Sequence, residues 1–200
     1  RLPAPFFDDV LNRTNLPIFH SRGTQEKVHQ LYQRGSSCLP FCGDPPFAEQ
    51  DLGENNRRFA RERLGLRSDR LNLVTFGTLA RRKGLLDCIW TVQMLRMWGV
   101  HADLHFVGQP GEMKGEMTGL VDQLRLNDHV HWLPTRASDE TYRDFLLAAD
   151  FGIQLRAHGV GGLSHSFQDC IGAGLTTVAN DDLADAMNAP DYVLRVPDHL

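Results

Sequence analysis

The stretch HGVGGLSHSFQDCIGAG, residues 158 to 174, sets Gly159, Gly161 and Gly162 directly ahead of Leu163, Ser164 and His165, with one acid, Asp169, further on. This is chemistry for an anion. Glycine lets backbone N–H groups approach an oxygen with no Cβ in the way. A helix N-terminus carries about half a positive charge, so bare backbone feeding a helix is a phosphate seat. Ser164 and Ser166 add hydroxyl donors, although Ser164 here also fits a plain helix cap, and the glycines a plain tight turn. Asp169 falls about a turn and a half beyond Ser164. A carboxylate there can accept two hydrogen bonds from a ribose diol; it equally fits an acid complementing the helix dipole. His158 and His165 read as polar loop residues, with contact to a ligand as the alternative.

A second stretch, VTFGTLARRKGLLD, has the same logic. It leaves an apolar run at Gly77 and Thr78 and enters another near Gly84, with Arg81, Arg82 and Lys83 between them. Three cations ahead of a helix work against its dipole unless an anion sits among them. Lys offers phosphate a point charge and Arg a fork of donors. The alternative is a solvated basic turn. Two anion-friendly loops on one sheet call for a ligand carrying a diphosphate.

The elements that must position these loops follow from the hydrophobic pattern. Strands are expected at 70–77, 101–108, 129–134, 151–156 and 175–180, the last strand of the run. They alternate with helices at 84–99, 112–126, 138–150 and 164–174, and a basic amphipathic helix, NRRFARERLGL, precedes them. Short apolar runs without in-out alternation mark a parallel sheet covered on both faces, an α/β Rossmann-like fold. In such sheets ligands sit outside the carboxyl ends of the strands, which singles out 77–83, 108–112, 133–138 and 157–163. Upstream, LPIFHS and SCLPF read as short strands around a helix at 23–35. The breaker-rich CGDPPFAEQDLGEN places a domain boundary near residues 43–53, dividing the chain into 1–45 and 46–200.

With 200 residues, 42% of them hydrophobic, the chain supports one sizeable core or one domain and part of another. A net charge of −4 excludes the strongly basic footprint of a nucleic-acid binder, although Arg57-Arg58 and the basic turn remain local spots for phosphate. No window reaches the roughly 18 apolar residues of a membrane span, and the first residues lack a signal peptide's apolar segment. Both ends read as cuts in a longer protein. Cys38 and Cys42 are spaced C-x3-C, while Cys88 and Cys170 are isolated. With no second pair to complete a zinc site, they are expected to be reduced thiols, with no metal.

From about residue 70 to 180 the chain resembles the C-terminal, donor-binding domain of GT-B glycosyltransferases of the retaining "group 1" family. VTFGTLARRKGLLDCI is similar to its "vGrl...KG" segment and QDCIGAGLTTVAN to its "lEAmAcGlPvva" segment. LHFVGQP and HVHWLPTRASDETYRDFLLAADFGIQL lie between them in the family's order. Residues upstream of the boundary resemble the end of the N-terminal acceptor domain and the crossover.

The resemblance implies transfer of a sugar from a UDP- or GDP-linked donor to a glycan, lipid or small-molecule acceptor, with no other cofactor. It also implies a cytoplasmic location with peripheral membrane contact through the rest of the acceptor domain. Lys83, with Arg82, would act on the donor diphosphate, beside Gly77, Thr78 and Arg81. Asp169 would take the ribose, and the loop from Gly161 and Gly162 through Leu163, Ser164 and His165 would face the diphosphate and sugar. Leu133 and Pro134 would lie against the nucleobase. Three positions depart from the family: its usual arginine is Thr78 here, its first glutamate falls at Gly161 or Gly162, and its second is the shorter Asp169.

Two other readings fit parts of the sequence. GVGGLS nearly matches the dinucleotide fingerprint, with Asp181 about 20 residues on, but that fingerprint opens its fold, whereas here it follows the fourth regular strand. A domain that binds a nucleotide or a protein partner without catalysing transfer also fits the departures. Asp181 and Asp182 otherwise read as loop acids at a strand end.

Overall fold

The computed structural model describes residues 5–39, 41, 43, 47–48, 51–109, 111–133, 136–156 and 162–198. Its centre is a six-stranded, wholly parallel sheet of β3 (Leu71–Phe76), β4 (Ala102–Val107), β5 (Val130–Trp132), β6 (Phe151–Gln154), β7 (Thr177–Asn180) and β8 (Leu194–Val196). In space the order is β5-β4-β3-β6-β7-β8. The chain builds outward from β3 through β4 to β5, returns to pair β6 with the other side of β3, and builds outward again. That is the doubly wound Rossmann order, with its switch point between β3 and β6.

The apolar runs are continuous because both faces are covered. On one face Leu73, Leu104, Phe106 and Val130 pack with α4 (Leu85–Met97) and α5 (Lys114–Leu124), through Ile89, Val92, Met117 and Val121. On the other face Val74, Phe76 and Val107 meet Phe145 and Leu146 of α6 (Asp139–Ala148) and Cys170 of α7 (His165–Gly172). The basic helix α3 (Glu54–Leu64) lies against α6. Three of its four arginines are spent on structure: Arg57 and Arg61 bond Asp150 at 2.7 and 3.1 Å, and Arg63 forms an ion pair with Asp144. Arg57 is therefore committed to a carboxylate.

Ahead of the sheet lie α1 (Pro5–Arg13), β1 (Ile18–Phe19), α2 (Arg22–Tyr32) and β2 (Ser37–Cys38), with β1 and β2 paired in parallel. Helix α2 starts where the buried Ser21 caps it by accepting from the Thr24 N–H, and it stops at Tyr32, short of the expected residue 35, because Gln33 turns left-handed at φ 52. It packs against α8 (Asp181–Ala186), which the sequence reading lacked. Asp181 and Asp182 occupy the first turn of that helix, where acids complement the dipole, rather than a loop. Strand β8 extends the sheet beyond β7, so 175–180 does not hold its last strand. Among the described residues Cys38, Cys88 and Cys170 are free thiols, and no helix is long and apolar enough to cross a membrane; Cys42 lies outside them.

Candidate functional site

The carboxyl ends of β3 and β4 come together so closely that side chains are excluded. Gly77, at φ +93, carries its chain out of β3, and a Cβ on Gly108 would collide with the Gly77 backbone carbonyl. The bare rim opens a cavity of about 360 Å³, lined by Gly77, Thr78, Gly108 and Gln109 on the strand side and by Ala137 and Tyr142 on the α6 side. Helix α6 begins at this rim because Ser138 caps it, its hydroxyl accepting from the Thr141 N–H at 3.1 Å.

The basic residues form a 3-10 turn, Arg81–Lys83, between the cavity and α4. They diverge. Arg81 reaches α5, where its guanidinium bonds Glu116 at 3.2 Å and its backbone N–H bonds Glu112. Arg82 is exposed. Lys83 turns inward and is only 7% exposed, with Nζ donating to the Phe76 carbonyl at 2.6 Å. The same Nζ stands over Gly77, where a Cβ would meet it. Burial lowers the Lys83 pKa from 10.5 to about 8, and Arg156 and Arg82 push in the same direction.

Arg156, which sequence reasoning did not single out, follows β6 on the other side of the switch point. Its backbone N–H donates to Asn180 at 2.8 Å, and its guanidinium donates to Ser164 at 2.9 Å. The two loops meet at one rim, since a Cβ on Gly84 would lie 3.0 Å from the Leu155 side chain. Among the described residues no carboxylate forms an ion pair with Arg82, Lys83 or Arg156. Burial and the nearby Arg82 both lower the pKa of Arg156.

Helix α7 starts at Ser164, 2% exposed, whose hydroxyl accepts from the Phe167 N–H at 3.3 Å and lies 3.2 Å from the Ser166 hydroxyl. Ser166 in turn donates to Gln154 at 3.1 Å. Ser164 thus fulfils the cap reading and also holds Arg156. Gly162 and Leu163 are half-buried ahead of it. His165 is exposed, with its ring 4.5 Å from Phe41, so the segment after β2 rests on the start of α7. Gly159, Gly161 and His158 lie outside the described residues.

Asp169 faces the cavity wall from behind Tyr142, whose hydroxyl donates to it at 2.7 Å. Burial raises the Asp169 pKa against the opposing pull of Tyr142 and His165. The Tyr142 ring packs at 4.7 Å on Phe76, which ties cavity wall and carboxylate to the sheet. Leu133 does not line this cavity. It borders another, over Asn72, Asp103, His105 and His131 on the α3–α6 face, while Arg136 and Ala137 line the rim cavity; Pro134 lies outside the described residues. The near-fingerprint GVGGLS follows β6, the fourth strand of the sheet in chain order, where a dinucleotide fingerprint does not belong.

No protein-family model and no curated protein sequence matches the chain. Solved structures do. HepE of Anabaena, in complex with UDP and glucose, superposes with a TM-score of 0.74 at 16% identity, over 94% of this chain and 51% of that one. WaaG, a glycosyltransferase involved in lipopolysaccharide biosynthesis, gives 0.68 at 20% identity, over 86% and 46%. The C-terminal domain of the group 1 glycosyl transferase LpcC from Francisella tularensis gives 0.60 at 15% identity, over 78% and 81%. The chain spans about half the length of the first two. The chain therefore shares the Rossmann-like fold of the domains it matches in these structures.

Proposed function

We propose that the protein is a glycosyltransferase that moves a sugar from a nucleoside-diphosphate donor to a glycan, lipid or small-molecule acceptor. The observation that carries this reading is Lys83, a buried ammonium that pairs with no carboxylate among the described residues and stands over Gly77 at the edge of the rim cavity. An unpaired buried cation is costly, and its place here is explained by an anion that arrives with the substrate. The nucleoside lies in the rim cavity between Gly108 and Ala137, with Asp169 and Tyr142 toward the ribose. The diphosphate lies over Gly77 and Thr78 against Lys83, with Arg82 at the mouth and the loop through Gly162, Leu163, Ser164 and His165 closing over it. Arg81 stays with Glu116.

As the sugar–phosphate bond breaks, negative charge gathers on the departing diphosphate, and a fixed cation in a dry site stabilises that charge more than it does the ground state. Lys83 Nζ, already held at Phe76, shifts to a phosphate oxygen with little reorganisation. Retention at the anomeric carbon belongs to the same proposal and rests on the resemblance of the sequence blocks. The glycines at 161 and 162, where the resemblance would place a carboxylate for the sugar, are the ground for one alternative: a domain that binds the nucleotide without transfer.

Sugar-nucleotide protection against thermal unfolding tests the reading. Several UDP- and GDP-sugars are compared with NAD, and the first group is expected to protect. Lys83→Ala should weaken nucleoside-diphosphate binding at least tenfold. Its Tm should stay nearly unchanged. Relief of the buried charge is on the order of 3 kcal/mol by the pKa displacement, and loss of the hydrogen bond to the Phe76 carbonyl costs about 1–3 kcal/mol in the other direction. Undiminished binding by the variant removes the diphosphate seat. Binding without transfer by the intact protein selects the alternative.

A further inference from the structure

Arg156 stands out as a cation that is anchored yet forms no ion pair among the described residues. Its backbone is fixed by the Asn180 side chain, and Asn180 itself bonds Asp198 at 2.6 Å. Among the described residues its guanidinium touches two oxygens, neither with a net charge: the Leu155 carbonyl at 3.2 Å and the Ser164 hydroxyl at 2.9 Å. Those two bonds use part of a set of five N–H donors, so the fork keeps donors for a ligand. Ser164 is buried and pinned by its capping role, which makes it a rigid support. Arg156 is half-buried at the carboxyl end of β6, and the Leu155–Gly84 contact brings that end against the turn that carries Lys83. The two cations thus flank the switch point, one from each of its strands.

We infer that Arg156 is the second cation of the diphosphate seat, gripping the phosphate on the β6 side while Lys83 holds the β3 side, an inference that rests on the function proposed above. A guanidinium suits this place because its planar fork can give two parallel hydrogen bonds to one phosphoryl group while a third donor stays on Ser164. Arg81, nearer Lys83 in sequence, is engaged with Glu116 and takes no part. Ser164 acts through Arg156 as a positioning residue.

Calorimetric titration of the intact chain with inorganic diphosphate, UDP and GDP tests this. Inorganic diphosphate removes any dependence on the base, and orthophosphate serves as the short comparison. Arg156→Ala is expected to lose at least tenfold in affinity for diphosphate and a similar factor for whichever nucleotide binds. Orthophosphate binding should change less than threefold, because a single phosphoryl group can stay on Lys83. Arg81→Ala should stay within twofold of the parent for every ligand. Arg156→Gln, which removes the charge while keeping the inner part of the aliphatic stem, should show the same loss as Arg156→Ala and keeps the test open if the alanine variant does not fold. Undiminished diphosphate affinity in a folded Arg156 variant, with the loss confined to Lys83→Ala, overturns the role of Arg156 and leaves the seat standing. No binding of diphosphate or either nucleotide by the parent chain overturns both.

Discussion

Lys83 shows most directly how a side chain's surroundings can be read as chemistry. An ammonium at 7% exposure with a pKa lowered to about 8 is a group poised to take up a proton when an anion arrives. The sign follows from charge. Bound diphosphate favours the protonated lysine and raises its pKa toward the ordinary 10.5. Binding therefore takes up protons in the window between about pH 8 and 10.5, and affinity falls as pH rises through that window. At pH 7 Lys83 is already charged, so uptake by this group is small. Calorimetry at pH 8.5 in two buffers of different ionisation enthalpy should show the uptake in the parent and lose it in Lys83→Met. Equal heats in both buffers for the parent contradict a titrating lysine at the seat. The sequence already marked Lys83, Asp169 and Gly77. It did not mark Arg156, since nothing in a linear string tells which cation will lack an acid. Arg81 illustrates the converse: its partner Glu116 is 35 residues away.

At the scale of elements, the site is made by strand ends that touch. β3 and β4 pair from Leu71↔Ala102 to Phe76↔Val107, and their next residues, Gly77 and Gly108, allow the two chains to continue side by side. A methyl group on Gly108 would press on backbone, which cannot swing away as a side chain can. Gly108→Ala is therefore expected to destabilise the fold by about 2 kcal/mol, in the range for overpacked sites. It should also weaken nucleotide binding, because the cavity wall must move. Urea unfolding measures the first effect and titration with UDP and GDP the second; an unchanged midpoint with unchanged binding contradicts the packing account.

Most of these elements were legible because apolar runs and turn residues recur at regular intervals from residue 70 onward. Three were not. Helix α8 is six residues long, too short for a 3.6-residue period to appear, and its Asp181 and Asp182 look like loop acids until a helix is seen behind them. Strand β8 has three residues, two of them exposed, so it lacks the apolar signature of its neighbours. Helix α1 has nine residues and opens on a proline, which in a linear string reads as a breaker.

For the whole molecule, topology decides where a ligand can go. The order β5-β4-β3-β6-β7-β8 forces the loops after β3 and β6 to part at one rim, and a parallel sheet presents its strand ends there. Lys83 and Arg156, which form no ion pair among the described residues, lie at that rim, while Arg57, Arg61 and Arg63 of α3 pair with Asp150 and Asp144 on the other side of the domain. These two part-buried cations stand at the rim although the net charge of the chain is negative. The total of −4 concealed this, and only the fold revealed it.

The most direct measurement is a crystal structure of the chain with UDP or GDP bound. The account predicts the diphosphate over Gly77, within hydrogen-bond distance of Lys83 Nζ, and the nucleoside in the cavity between Gly108 and Ala137. A nucleotide seated elsewhere, or at this rim with Lys83 still turned to the Phe76 carbonyl and no contact to phosphate, contradicts it.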